Sequence, residues 1–197
     1  MGIARLARSL RAFGLVACLW PTILAGQSRA IDSARSVVTI HVFKSGLFSG
    51  FAHNHEIAAP IAEGTVEVSQ QKVSLRVDAR RMRVLDPEAS ESTRADIQKT
   101  MQGPTVLDSE RFPEIAFQSA RVEQTGNDHW SVHGNLTLHG QTKLVTVDVA
   151  LKDGRYRGTA TLKQRDFGMS PVSIAGGTVK VKDELKIEFD IVLAGEA

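Results

Sequence analysis

The residues best spaced for chemistry lie in one short stretch, Phe51-Ala52-His53-Asn54-His55-Glu56. In an extended strand, residues two apart project to the same side, so His53 and His55 would present two imidazoles to one face. Such a pair can share a metal ion, with Glu56, His41 or His133 as remote further ligands. A catalytic zinc site takes three protein ligands, and the spacing supplies no third. Histidines that bond loop backbone account for the same pattern. His139 stands beside Gly140, which suits a turn better than a base. Other chemistries are missing at the level of motif. No Gly-x-Ser-x-Gly elbow, His-Glu-x-x-His helix, Walker loop or Cys-x-x-Cys occurs. The acidic residues fall mostly on the polar sides of alternating segments, where solvation explains them.

The elements that must position any such group are strands. Val73, Leu75 and Val77 alternate with Ser74, Arg76 and Asp78. Trp130, Val132, Leu136 and Leu138 oppose Ser131, His133, Asn135 and Thr137. Val145, Val147, Val149 and Leu151 share one face, as do Leu185, Ile187, Phe189, Ile191 and Leu193. This period of two is the pattern of half-buried strands. Weaker strands read at 36–43, 47–57, 64–69, 114–122 and 155–163. Turn signals separate them at Thr125-Gly126-Asn127-Asp128, His139-Gly140, Lys152-Asp153-Gly154 and Ala175-Gly176-Gly177. Only Asp86 to Gln102 breaks the pattern: good helix formers follow Asp86-Pro87, and Gly103-Pro104 is a stop. One short helix is expected there.

Successive strands with one apolar face require a sandwich or a closed sheet. An eight-stranded barrel is just wide enough to be filled by side chains or to admit one small ligand. Phe48, Phe51, Phe117, Trp130 and Phe189 would line such a cavity or fill a solid core. If the interior is hollow, Val38, Ile40, Leu75, Val77, Leu136 and Val147 join Phe48, Phe117, Trp130 and Phe189 as its ligand-binding wall.

Residues 1–30 read as a secretory signal. Arg5, Arg8 and Arg11 precede an apolar run from Ala12 to Ala25, and Ser28-Arg29-Ala30 fits cleavage after Ala30. The run is too short to span a membrane, which takes roughly 20 apolar residues. Leu15-Val16-Ala17-Cys18 also resembles a lipobox. Removing the signal takes four of the 24 basic residues and none of the 22 acidic ones, leaving a net charge of −2 on 31–197. The basic character of the full chain therefore argues nothing for nucleic acid. The single cysteine leaves too, so no internal disulfide forms and stability rests on packing. A periplasmic or secreted single domain over 31–197 is expected, with no membrane-spanning segment and no cofactor.

Three stretches carry a family resemblance. They are Leu107-Asp108-Ser109-Glu110-Arg111-Phe112-Pro113-Glu114-Ile115-Ala116-Phe117-Gln118-Ser119, Gly134-Asn135-Leu136-Thr137-Leu138-His139-Gly140-Gln141-Thr142-Lys143, and Gln164-Arg165-Asp166-Phe167-Gly168-Met169. With first and last strands at 36–40 and 181–187, the chain resembles the YceI-like, lipid- and polyisoprenoid-binding proteins. There are departures. The family's Arg-Asp-x-His-Leu helix motif reads Gln98-Lys99-Thr100-Met101, and the Phe expected after it is Val106. His53-x-His55 stands where many members carry Gly-x-Phe, and the third motif lacks its Ser. The resemblance implies an all-β, eight-stranded antiparallel lipocalin-like barrel with one inserted helix. It also implies an apolar partner such as a polyisoprenoid or an isoprenoid quinone, held for sequestration or transport. The alternative from the residues alone is a barrel enzyme or metalloprotein using His53 and His55.

Overall fold

The computed structural model describes residues 28–45, 54–174 and 179–195. Phe48, Phe51, His53, residues 1–27 of the expected secretory signal and the Ala175-Gly176-Gly177 turn lie outside the described residues. The strands are β1 (Ser28–Ala30), β2 (Val37–Ser45), β3 (His55–Ala58), β4 (Ile61–Glu67), β5 (Lys72–Asp78) and β6 (Arg83–Val84). There follow helix α1 (Glu91–Gln102), β7 (Glu114–Gly126), β8 (His129–Leu138), β9 (Gln141–Lys152), β10 (Arg155–Lys163), β11 (Ser173–Ile174) and β12 (Val179–Ile191).

All the pairings are antiparallel, and the path runs β1-β4-β5-β7-β8-β9-β10-β12-β2-β3-β6, with β11 paired to β12 off the path. The sheet curls back on itself. Ile31 bridges to Leu193, Asp32 N–H donates to the Val192 carbonyl, and Ala194 N–H donates to that of Ala30. These contacts join β1 to the chain just beyond β12.

The strand count of eight expected from sequence is corrected to twelve among the described residues. The break expected between the segments at 47–57 and 64–69 falls at Pro60, which has no N–H to donate and separates β3 from β4. There the run leaves β2, with Ala59 N–H still bonded to the Val38 carbonyl, and passes to β5 through a register shift between Ile61 and Glu63. The strands that sequence reading lacked are short pairings that carry no alternation to read: β1, β6 and β11 have only three, two and two residues.

Local chemistry sets the turns. His139 and Gly140 both take positive φ (50° and 70°) between the closing pair Leu138 and Gln141. Asp153 and Gly154 do the same (53° and 70°) between Lys152 and Arg155. Two left-handed residues in a two-residue loop match the twist of the strands they join. Helix α1 starts where Ser90 Oγ accepts from Thr93 N–H at 3.2 Å, and it stops at Gly103. Gln98 ties it to the sheet, accepting from Val84 N–H and donating to the Met82 carbonyl, both at 2.9 Å. Those backbone groups at an edge would otherwise need water. The helix thus lies over one end of the sheet, with Met101 buried against Met82, Leu107, Leu138, Phe167 and Met169. A second buried group, Ile31, Ile61, Ile191 and Leu193, sits where β1 meets the end of β12.

Candidate functional site

Inside the curled sheet lies an apolar cavity of about 430 Å³. Each long strand sends its alternate residues into it: Val38, Ile40 and Val42 from β2, Leu75 and Val77 from β5, Val145, Val147 and Val149 from β9. Val38, Ile40 and Val42 are only half-buried although they point inward, because open space rather than a facing side chain lies before them. A packed core leaves no such space.

Nine of the ten residues expected to bind ligand line this cavity. They are the five just named as Val38, Ile40, Leu75, Val77 and Val147, together with Phe117, Trp130, Leu136 and Phe189. The tenth, Phe48, lies outside the described residues. Two glycines seat the aromatics. A β-carbon on Gly134 would run into the Phe117 ring, and one on Gly158 would meet the Phe189 ring and the Asp148 carbonyl. Each ring therefore lies across a neighbouring strand where no side chain intervenes. Trp130 and Tyr156 meet at 6.3 Å between ring centres.

The two ends of the cavity differ. One is floored by Met82, Met101, Leu107, Leu138 and Met169, all buried, beneath α1 and the segment that follows it. At the other, the wall reaches Glu67, Val68, Gln71 and Lys72 in the β4–β5 turn. Val68 is 60% exposed, and Gln71 and Lys72 are exposed. Among the described residues this is where the lining meets solvent.

Sequence reasoning missed several wall residues. Met101 and Val106 come from the helix and the segment after it, whose packing no alternation encodes. Gln164 was legible: Tyr156, Ala160 and Leu162 face inward, and the same parity carries Gln164 inward past the end of β10. It is 4% exposed.

The histidines are held by other contacts. His55 Nδ1 lies 2.6 Å from Oδ2 of Asp86, whose side chain is only 4% exposed. The second oxygen of Asp86 accepts from Glu56 N–H at 2.8 Å. His41 meets Glu188 at 3.2 Å, and His133 meets the Thr146 hydroxyl at 3.0 Å. His139 donates from Nδ1 to the Phe167 carbonyl at 3.0 Å, and its ring packs edge-on against Phe112. None of these rings lines the cavity, and no group of three potential metal ligands occurs among the described residues. His53, the partner expected for His55, lies outside them.

Ion pairs sit on the outer face. Burial pushes the Asp190 carboxyl up, but the Arg157 and Arg155 guanidiniums outweigh it and hold the group below the usual carboxylate range. Their contacts are 2.9 and 2.5 Å, and they clamp β10 to β12. The Lys186 ammonium, with His41, likewise holds Glu188 low.

A curled antiparallel sheet around an apolar lumen, closed over at one end by a helix, defines a class of barrel-like binding proteins. Within that class the chain belongs to the YceI-like domain family, whose pattern matches residues 30–193. A UPF0312 protein of Vibrio cholerae is 27% identical over 114 residues, which is 53% of this chain and 59% of that one. A UPF0312 protein of Yersinia pestis is 32% identical over 97 residues, 44% of this chain and 50% of its own. The matched region thus spans between half and three-fifths of these relatives. The crystal structure of Burkholderia cenocepacia BcnA superposes with a TM-score of 0.59 at 19% identity, covering 82% of this chain and 98% of BcnA. At that identity the likeness is one of fold. No helix among the described residues is long and apolar enough to cross a membrane.

Proposed function

We propose that this protein holds an apolar, isoprenoid-like lipid in its lumen, for sequestration or transport in the periplasm or outside the cell, and that it is a binding protein rather than an enzyme. The observation that carries the reading is the cavity wall, which is aliphatic and aromatic on every long strand from β2 to β12. Such a wall offers a ligand contact area and almost no hydrogen bonds, so it selects an extended apolar body. Each buried CH₂ contributes roughly 0.8 kcal/mol, offset by the cost of ordering the chain. The cavity falls within the size range of small-molecule sites. An aqueous compartment is where a lipid of this kind needs a carrier.

The test is native mass spectrometry of protein purified from its own host, followed by solvent extraction. A co-purifying chain-like lipid, released on extraction, is the expected result. Protein that arrives empty and, after delipidation, binds no apolar fluorescent probe would end the carrier reading. Elemental analysis is expected to find no stoichiometric transition metal. One tightly held metal per chain, lost in His55→Ala, would favour a metalloprotein built on His53 and His55 instead.

A further inference from the structure

We infer that Gln164 reads the buried end of the ligand, accepting a hydrogen bond from a hydroxyl or N–H group carried there by an otherwise apolar chain. The inference rests on the lipid-holding reading above and adds to it an orientation and a chemical class.

Among the described residues, Gln164 is the one polar residue of the cavity wall that is itself buried, at 4% exposed. Of the other polar residues that line it, Glu67, Gln71 and Lys72 stand at the solvent end with water available, and Tyr156 is half-buried beside Trp130. Gln164 opens the 3-10 turn Gln164–Phe167 at the opposite, floored end, where Met169 N–H bonds to its backbone carbonyl.

The orientation of its side-chain amide is determined by its one partner. The Lys182 carbonyl, 2.8 Å away, can only accept, so the nitrogen of the amide faces it. The oxygen, Oε1, is left with no donor among the described residues. A buried amide oxygen without a donor is costly, by the same reasoning that makes buried polar groups find partners in nearly every fold. The residue that carries it lines the cavity. What completes the site is therefore a donor brought by the ligand.

A terminal hydroxyl of a long-chain alcohol, a phenol or quinol O–H, or an amide N–H has the required chemistry. An ether or a plain hydrocarbon does not. The polar end enters first and the tail trails toward Val68.

Three probes of one chain length separate the possibilities in delipidated protein: hexadecanol, hexadecane and hexadecyl methyl ether, each displacing an apolar fluorescent probe. The ether keeps the oxygen and loses the donor, and it is easier to desolvate than the alcohol. Even so, wild type is expected to bind it about fivefold to tenfold more weakly than the alcohol, the worth of one buried hydrogen bond. Gln164→Met removes the acceptor at nearly constant volume. It is expected to erase the preference for alcohol over ether while hexadecane affinity stays within about twofold. The ether comparison needs no variant, so it decides the matter even where Gln164→Met folds poorly. Equal binding of alcohol and ether by wild type would overturn the inference and leave the carrier reading standing. Failure of wild type to bind any of the three would overturn both.

Discussion

The ring of Phe117 lies on Gly134 of the neighbouring strand, in the space a β-carbon would occupy. The ring can lie flat against the wall only because that position has no side chain. Gly134→Ala is expected to push the ring into the lumen, at a cost of about 1–3 kcal/mol for overpacking and with a clear loss of apolar-probe affinity. Denaturant unfolding and probe titration on the same sample check it. A variant that keeps both stability and affinity would show the ring is not seated there.

Phe117 and Trp130 come from adjacent strands and line one lumen. Replacing either with Ala is expected to weaken probe binding while costing less than the roughly 3–5 kcal/mol lost when a fully packed aromatic is removed. A full-sized loss of stability with unchanged probe affinity would mean that these rings fill a core.

Val147 and Leu144 are close in β9 but lie on opposite sides of it: Val147 lines the cavity, and Leu144 is 67% exposed. Val147→Asp places an unpaired carboxylate against the apolar wall and is expected to cost about 3–5 kcal/mol. Leu144→Asp is expected to stay within about 0.5 kcal/mol. Melting curves of the two variants read the inward and outward faces directly, and native melting of Val147→Asp would take that residue out of the interior.

Asp190 carries a pH prediction. Its carboxyl is held low in the folded protein, so it contributes stability above the unfolded carboxylate value of about 3.9. That contribution is lost as pH falls through the lower folded value. Asp190→Asn is therefore expected to lower Tm near neutral pH and to converge with wild type in strong acid. Parallel Tm curves across the acid range would remove Asp190 from the linkage.

The N-terminal strand gives a fifth prediction. Ser28–Ala30 pairs with β4, and Arg29 Nη2 donates to the Ala194 carbonyl at 3.2 Å. Cleavage after Ala30 would remove these contacts and leave Ile31, with Leu193, and Asp32, with the Val192 carbonyl, to hold the seam. A chain beginning at Ser28 is expected to melt measurably higher than one beginning at Ile31. Intact mass of the protein purified from its own host would then say which of the two the cell makes.

Much of this molecule is readable along the chain. Alternation placed Val132, Leu136, Val145, Val147, Ile187 and Phe189 on inward faces, since a strand sends every second side chain to one side whatever it pairs with. Asp153-Gly154 and His139-Gly140 announced their hairpins, because few residues accept positive φ. What alternation cannot express is the distance across the lumen. Whether Val38 meets a facing side chain or open space depends on strands far away in sequence, and so does the depth of Gln164. The His55 contact with Asp86 crosses 31 residues, and no local pattern encodes it. Local spacing thus decided which side chains face in and where the chain turns. The three-dimensional closure of the sheet decided that they surround a cavity and that one end of it is floored, because both are properties of non-local packing.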